Sequence, residues 1–232
     1  MRKNLQVSFA GHLSDRLQDL YYGVVEPDSI DLQYIELPPF QAFNRMLRGE
    51  FDSAEMSLST YVLLASREPD PALRQFVALP IFPARTFRHN AIYIRRNAGI
   101  SVPAELKGKR IGVPEYQMTA AVWARGMLLH EYGVHARDID WTTGGLTQPG
   151  RAAMLATNAP GVSITHEASR TLDEMLVTGD LDAIISPQKP PSFNEGQGDV
   201  VRLFPDYARV EREYFAKTGI FPIMHTVVVR RD

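Results

Sequence analysis

The feature that most constrains this fold is a pattern written twice. Met46-Leu-Arg-Gly-Glu-Phe-Asp-Ser-Ala-Glu-Met-Ser57 runs in parallel with Met175-Leu-Val-Thr-Gly-Asp-Leu-Asp-Ala-Ile-Ile-Ser186. Each reads as a helix end, a glycine at the left-handed position that stops it, an acidic turn, and a buried strand ending in serine. Helix-Gly-strand units are common, so a chance likeness stays open. Read as a duplication, the copies lie too far apart for a solenoid, whose repeats are much shorter. They imply two similar α/β lobes, with a ligand bound between them outside the carboxyl ends of the strands.

Hydrophobic periodicity along the chain agrees with an α/β design. Strands are expected at Gln6–Ala10, Ile30–Leu37, Phe51–Met56, Phe76–Ile81 and Asn90–Arg95, the fourth stopped by Pro80 and Pro83. Helices are expected at Ser14–Tyr22 with Ser14 as N-cap, at Phe40–Leu47 and at Ser59–Ala65. In the second half, strands at Arg110–Val113, Ile139–Thr142, Ala183–Ser186, Val200–Leu203 and Thr226–Arg230 alternate with helices. Those helices are a one-turn Val102–Leu106, a run from Thr119 to Gly133 with Thr119 as N-cap, Ala168–Leu176, and Asp206–Lys217 capped by Asp206. Alternating strand and helix implies a mostly parallel sheet covered on both faces.

Composition narrows the function classes. The 232 residues are 44% hydrophobic, enough for a real core. A net charge of −2 argues against a nucleic-acid or anionic-membrane surface. With no cysteine, disulfides, thiolate metal sites and cysteine nucleophiles are excluded. The start lacks an apolar signal region, and no apolar run approaches the roughly 18 residues of a membrane span. The expectation is a soluble, cytoplasmic protein for a small-molecule ligand, with a homo-oligomer left open.

Four stretches end strands on the expected ligand side. Around Pro114 a strand gives way to Glu115, Tyr116, Gln117 and Thr119 and then to a helix, a geometry that receives anions, although it is equally the shape of any βα turn. Arg85, Arg88 and His89 form a compact cationic run that suits a carboxylate clamp and proton transfer, or a solvated loop between lobes. Glu55 lies between the apolar Ala54 and Met56, where a carboxylate needs a cationic partner or a raised pKa. His225 follows Phe221-Pro-Ile-Met, a setting in which histidine is commonly a hydrogen-bonded core residue. The histidines show no metal-ligand spacing, and there is neither a phosphate-binding glycine loop nor a nucleophile elbow. The residues by themselves therefore lead to a two-lobed α/β binder or enzyme for a small anion.

At these stretches the sequence resembles the 4,5-dihydroxyphthalate decarboxylase family. The resemblance is carried by Arg45-Met-Leu-Arg48, Phe51-Asp-Ser-Ala-Glu-Met-Ser-Leu-Ser59, Phe87-Arg-His89 and Gly112-Val-Pro-Glu-Tyr-Gln-Met-Thr-Ala120. Gly144-Gly145 with Pro149-Gly-Arg151, Leu203-Phe-Pro-Asp-Tyr207, and Lys217-Thr-Gly-Ile-Phe-Pro-Ile-Met-His-Thr226 extend it. The first loop, Gly11-His-Leu-Ser-Asp-Arg-Leu17, keeps an Asp-Arg pair and otherwise departs from the family's aromatic-Asp-Arg-Thr run. The resemblance implies a two-lobed periplasmic-binding-protein-like type 2 fold. Residues 1–90 and 204–232 would form one lobe and 91–203 the other. Family chains continue into further C-terminal helices, which are expected to be absent here. The implied reaction is non-oxidative loss of CO2 from 4,5-dihydroxyphthalate to give 3,4-dihydroxybenzoate, without an organic cofactor; a divalent metal is left open.

On this reading Arg85, Arg88 and Arg151 clamp carboxylate, the helix start at Thr119 holds the second carboxylate, and Ser57, Tyr116 and Gln117 line the substrate. His89 is the proton donor, while Glu55, Glu115 or His225 handles the phenol. The rival reading is a non-catalytic binding or sensing protein for a small carboxylate on the same fold.

Overall fold

The structure, a computed structural model, describes residues 4–72, 74–157, 159–194 and 198–231. In chain order the regular elements are β1 (Leu5–Gly11), α1 (Gln18–Tyr21), β2 (Ile30–Glu36), α2 (Pro39–Leu47), β3 (Ser53–Ser57), α3 (Leu58–Arg67), β4 (Phe76–Arg85) and β5 (Ile92–Arg95). They continue with β6 (Arg110–Val113), α4 (Thr119–Tyr132), β7 (Asp140–Gly144), β8 (Ser163–Glu167), α5 (Leu172–Thr178), β9 (Ala183–Ile185), β10 (Val200–Arg202), α6 (Tyr207–Thr218) and β11 (Ile223–Arg230). Two compact units result: Met1–Thr86 with Ile223–Asp232, and Phe87–Pro222. No helix among the described residues is long and apolar enough to cross a membrane.

In the first unit the strand order is β2-β1-β3-β11-β4. β1 runs parallel to β2 and β3, while β11 is antiparallel to β3 and to β4. β3 therefore has a neighbour on each side, and all five of its residues are buried. α2 covers the sheet with Ala42, Phe43 and Met46, whose three- and four-residue spacing puts them on one helix face. β4 runs on through Pro80 and Pro83, beyond the expected stop at Ile81. It can do so because it is an edge strand, where a missing N–H costs no ladder bond, and because its register with β11 shifts between Leu79 and Ala84.

The second unit has the order β10-β5-β9-β6-β7-β8, with β9-β6-β7-β8 parallel, β5 antiparallel to β9, and β10 antiparallel to β5. Its core joins Ile92, Ile94, Ile111, Val113 and Ile185 of the strands to Ala124 and Leu128 of α4, with Trp141 fully buried. Leu203 and Phe204 belong to the same core, and Tyr207 and Val210 of α6 pack against it. Residues 204–222, assigned from sequence to the first lobe, thus fall in this unit. A side chain at Gly112 of β6 would place its Cβ 2.7 Å from Leu181, so glycine permits the close packing there.

Both copies of the repeated pattern take the helix-glycine-strand form. Gly49 (φ 75°) stops α2 before β3, and Gly179 (φ 85°) stops α5 before β9. The left-handed backbone at both glycines explains the residue type. Other local expectations shifted. The first helix is reduced to Gln18–Tyr21, without a side-chain cap, and the Ser14 hydroxyl is buried without a hydrogen-bond partner. α4 begins at Thr119 itself with Met118 at the N-cap position, so Thr119 is the first helical residue and not the cap. Asp206 does cap α6, accepting the Arg209 N–H. β8 has no counterpart in the expectations.

Candidate active site

In the first unit, sheet pairing brings two of the candidate residues together. β3 and β11 pair with Val227 opposite Glu55 and His225 opposite Ser57. Alternation along a strand puts His225 and Val227 on one face, making His225 the diagonal neighbour of Glu55. The His225 Nδ1 lies 2.6 Å from Glu55 Oε1. The other carboxylate oxygen accepts the His12 backbone N–H at 3.0 Å. Phe43 of α2 meets the His225 ring edge-on, with centroids 4.9 Å apart.

Burial alone would raise the Glu55 pKa. The hydrogen bond and charge of His225, with the His12 N–H, outweigh it and hold the carboxyl below its usual range. Glu55 is therefore an anion at neutral pH, fixed by two donors. Nearby, Tyr34 of β2 is pushed up to about 12 by burial and then by Glu55 and Glu36, and its hydroxyl donates to the His12 carbonyl at 3.3 Å. The Ser57 and Ser59 hydroxyls are 3.3 Å apart at the end of β3. Arg85 is the exposed last residue of β4, opposite Ile223.

The chain divides between Thr86 and Phe87, so Arg88 and His89 belong to the second unit. Burial pulls the Arg88 guanidinium down to about 10, against the pull of Glu211 and Tyr93, and leaves it charged at neutral pH. His89 is 2% exposed, edge-on to Phe204 and Tyr214 at 5.3 Å each, and neither ring nitrogen has a hydrogen-bond partner. Burial takes it down to about 4, with Glu131 only partly opposing. It is a neutral core ring at pH 7.

At the carboxyl end of β6, Glu115 is fully buried and its carboxylate is enclosed by donors. Arg151 gives Nε (3.1 Å) and Nη2 (2.6 Å) to Oε1, while the Gln117 amide (2.6 Å) and the Met154 N–H (3.0 Å) reach Oε2. Glu115 and Arg151, expected as an acid-base group and a clamp, thus engage each other. Tyr116 is held between the ring of Trp141, edge-on at 5.5 Å, and the Arg125 guanidinium 3.7 Å above its ring. Arg125 also donates to the Tyr116 carbonyl at 2.7 Å. Thr119 is buried at the start of α4.

His12, Tyr34, Phe43 and Arg125 were not expected at a site. His12 follows the carboxyl end of β1 just as Glu115 follows β6, so the strand-end rule that selected Glu115 applied to it equally. Among the described residues no three His, Cys, Asp or Glu side chains group closely enough to hold a metal ion.

The comparisons fit this architecture. No family model matches the chain. It is 40% identical over 230 residues to a 4,5-dihydroxyphthalate decarboxylase of Comamonas testosteroni, covering 98% of this chain and 68% of that protein. The corresponding enzyme of Pseudomonas putida is 38% identical over 206 residues, 88% of this chain and 78% of that protein. Among solved structures, the alkanesulfonate-binding protein of Xanthomonas axonopodis pv. citri aligns with a TM-score of 0.55 at 13% identity, over all of this chain and 67% of the other. The periplasmic aliphatic sulphonate binding protein of Escherichia coli aligns with a TM-score of 0.54 at 16% identity, over 98% and 65%. At such low identity these two show the fold alone, that of the periplasmic binding proteins of type 2. The sequence identities go further, and by them the chain belongs to the 4,5-dihydroxyphthalate decarboxylase family.

Proposed function

We propose that the protein removes CO2 from 4,5-dihydroxyphthalate without oxidation, giving 3,4-dihydroxybenzoate, and that the Glu55–His225 pair moves the protons. Family membership supports the reaction; the hydrogen-bonded pair of buried Glu55 and half-buried His225 supports the assignment. Loss of the proton from the hydroxyl para to one carboxylate pushes electron density onto the ring carbon bearing it. That carbon takes a proton, its bond to the carboxylate breaks, the electron pair returns to the ring, and CO2 leaves. The resulting phenolate takes a proton from solvent, so one proton is consumed per turnover.

An anionic Glu55 accepts Nδ1–H of His225 and so directs the free Nε2 toward the phenol as its base. It then stabilises the imidazolium that passes the proton to carbon. This role goes to His225 instead of His89, which is neutral and unpartnered in an aromatic setting. Arg85, Arg88, Ser57 and the Thr119 helix start remain proposals for substrate contact.

The test is direct. Purified protein is incubated with 4,5-dihydroxyphthalate, and CO2 and 3,4-dihydroxybenzoate are measured. Turnover is expected, and His225→Gln should lower kcat by about 10²- to 10⁴-fold, the usual contribution of a general acid–base group, with binding retained. Tight binding without CO2 would replace the enzyme by a carboxylate-binding protein on this fold.

A further inference from the structure

We propose that Glu115 is a positioning residue for substrate recognition: a buried anion that folds residues 151–157 against the end of β6 and so sets the Arg151 guanidinium and the Gln117 amide. The proposal rests on the decarboxylase reading and names the groups of the second unit that receive a carboxylate of the substrate.

Among the described residues between Gly144 and Ser163, none lies in a helix or strand. So long an irregular connection inside a compact domain is uncommon, and where one occurs it is typically functional. Its first turn is demanding, since a Cβ at Gly145 would run into the Gln148 carbonyl. After that turn, the bonds that hold the segment converge on the loop after β6. Arg151 and the Met154 N–H reach Glu115, and the Thr157 hydroxyl reaches Gln117 Oε1 at 3.5 Å. A carboxylate with no exposure cannot stay ionised without such donors.

Four donor groups meet on its two oxygens, leaving Glu115 poorly placed to exchange a proton with substrate. Its effect on its partners is geometric. Two N–H groups of Arg151 bind one oxygen, which fixes the plane of its guanidinium on a side chain that is 26% exposed. Gln117 is held by its amide on one side and accepts on the other, so its flip state is set. The Glu115–Arg151 pair is net neutral, and recognition here works through fixed donor directions more than through charge. Pre-set donors lose little rotamer freedom when a planar carboxylate arrives.

Glu115→Gln keeps the shape but places an amide NH2 among converging donors, releasing the segment. The expected result is a KM raised at least tenfold with kcat within threefold and an unmoved pH profile of kcat. Arg151→Met should raise KM similarly, and the double variant should be no worse than the poorer single one. Arg151→Lys, which keeps the charge without the fork, should fall between and serves if Glu115→Gln folds poorly by thermal melting. Calorimetry with phthalate, which lacks the hydroxyls this chemistry needs, reads recognition separately and should show tenfold weaker binding in both single variants. Phthalate binding that depends on Glu115 in a protein releasing no CO2 would fail the decarboxylase reading and keep this one. Unchanged phthalate affinity in Glu115→Gln, absence of phthalate binding by the native protein, or a hundredfold fall in kcat at constant KM, would overturn it.

Discussion

Replacing Glu55 by Gln removes one charge and almost no volume, which makes it the sharpest probe of the pair. The native carboxylate accepts from two donors, His225 Nδ1 on one oxygen and the His12 N–H on the other. An amide has one accepting atom. If it turns that oxygen to His225, its NH2 faces the His12 N–H and one buried donor is unmet; if it turns to His12, its NH2 is met by Nδ1 only in the tautomer protonated at Nε2, which removes the base from the phenol. In both cases a charge-assisted hydrogen bond of about 1.5–3 kcal/mol is reduced to a neutral one. A loss of about 1–3 kcal/mol follows, measurable by urea unfolding. The cost should depend on pH with a definite sign. Because the native Glu55 pKa lies below its ordinary value of 4.5, its contribution is full above about pH 4.5 and is lost as pH falls through the lower native value. The difference between native and variant should therefore shrink in acid. In turnover, His225 loses both its tautomer control and the anion that stabilises its charged form, and kcat for CO2 release should drop about a hundredfold. A variant with kcat within threefold of native, and stability parallel to native down to pH 3, would refute the reasoning.

Two further outcomes follow from packing. His89→Phe replaces a ring whose nitrogens have no partners, so above pH 6.5 it should be neutral or stabilising in thermal melts. Since burial lowers His89 from 6.5 to about 4, the native protein should lose stability as pH falls across that interval, and the variant should lack that loss. Gly112→Ala would force a Cβ to 2.7 Å from Leu181 and 3.2 Å from Leu172, and should cost about 1–3 kcal/mol by overpacking, read from denaturant midpoints.

Part of this site is legible in the amino-acid sequence. A glutamate flanked by Ala54 and Met56 demands a partner, and the repeated helix-glycine-strand pattern announces central strands. The partner's identity is not legible there, because His225 lies 170 residues away and meets Glu55 only through strand pairing. At Arg85–His89 the cationic residue types are legible, but the burial that leaves both His89 ring nitrogens without a hydrogen-bond partner is not. β8, Ser-Ile-Thr-His-Glu, has one strong apolar residue because it is an edge strand with β7 as its sole sheet neighbour, so its pattern is faint. The first helix reads as longer because the periodicity of 14–22 says nothing about the tertiary setting that shortens it.

The place of β11 carries a consequence for how the protein is made. The strand that bears His225 lies inside the first sheet, between β3 and β4, yet of the sheet's five strands among the described residues it is the last to leave the ribosome. Until residue 230 emerges, β3 and β4 lack the neighbour they share, and an apolar edge stands open while the uninterrupted second unit can already fold. Closing that gap joins segments with about 140 residues between them, at an entropy cost that rises only slowly with length but delays the step. Assembly of the Glu55–His225 pair is then the same event as sealing the sheet. A nascent chain cannot bring the pair together early, and any chaperone that shields this edge would also set when activity begins.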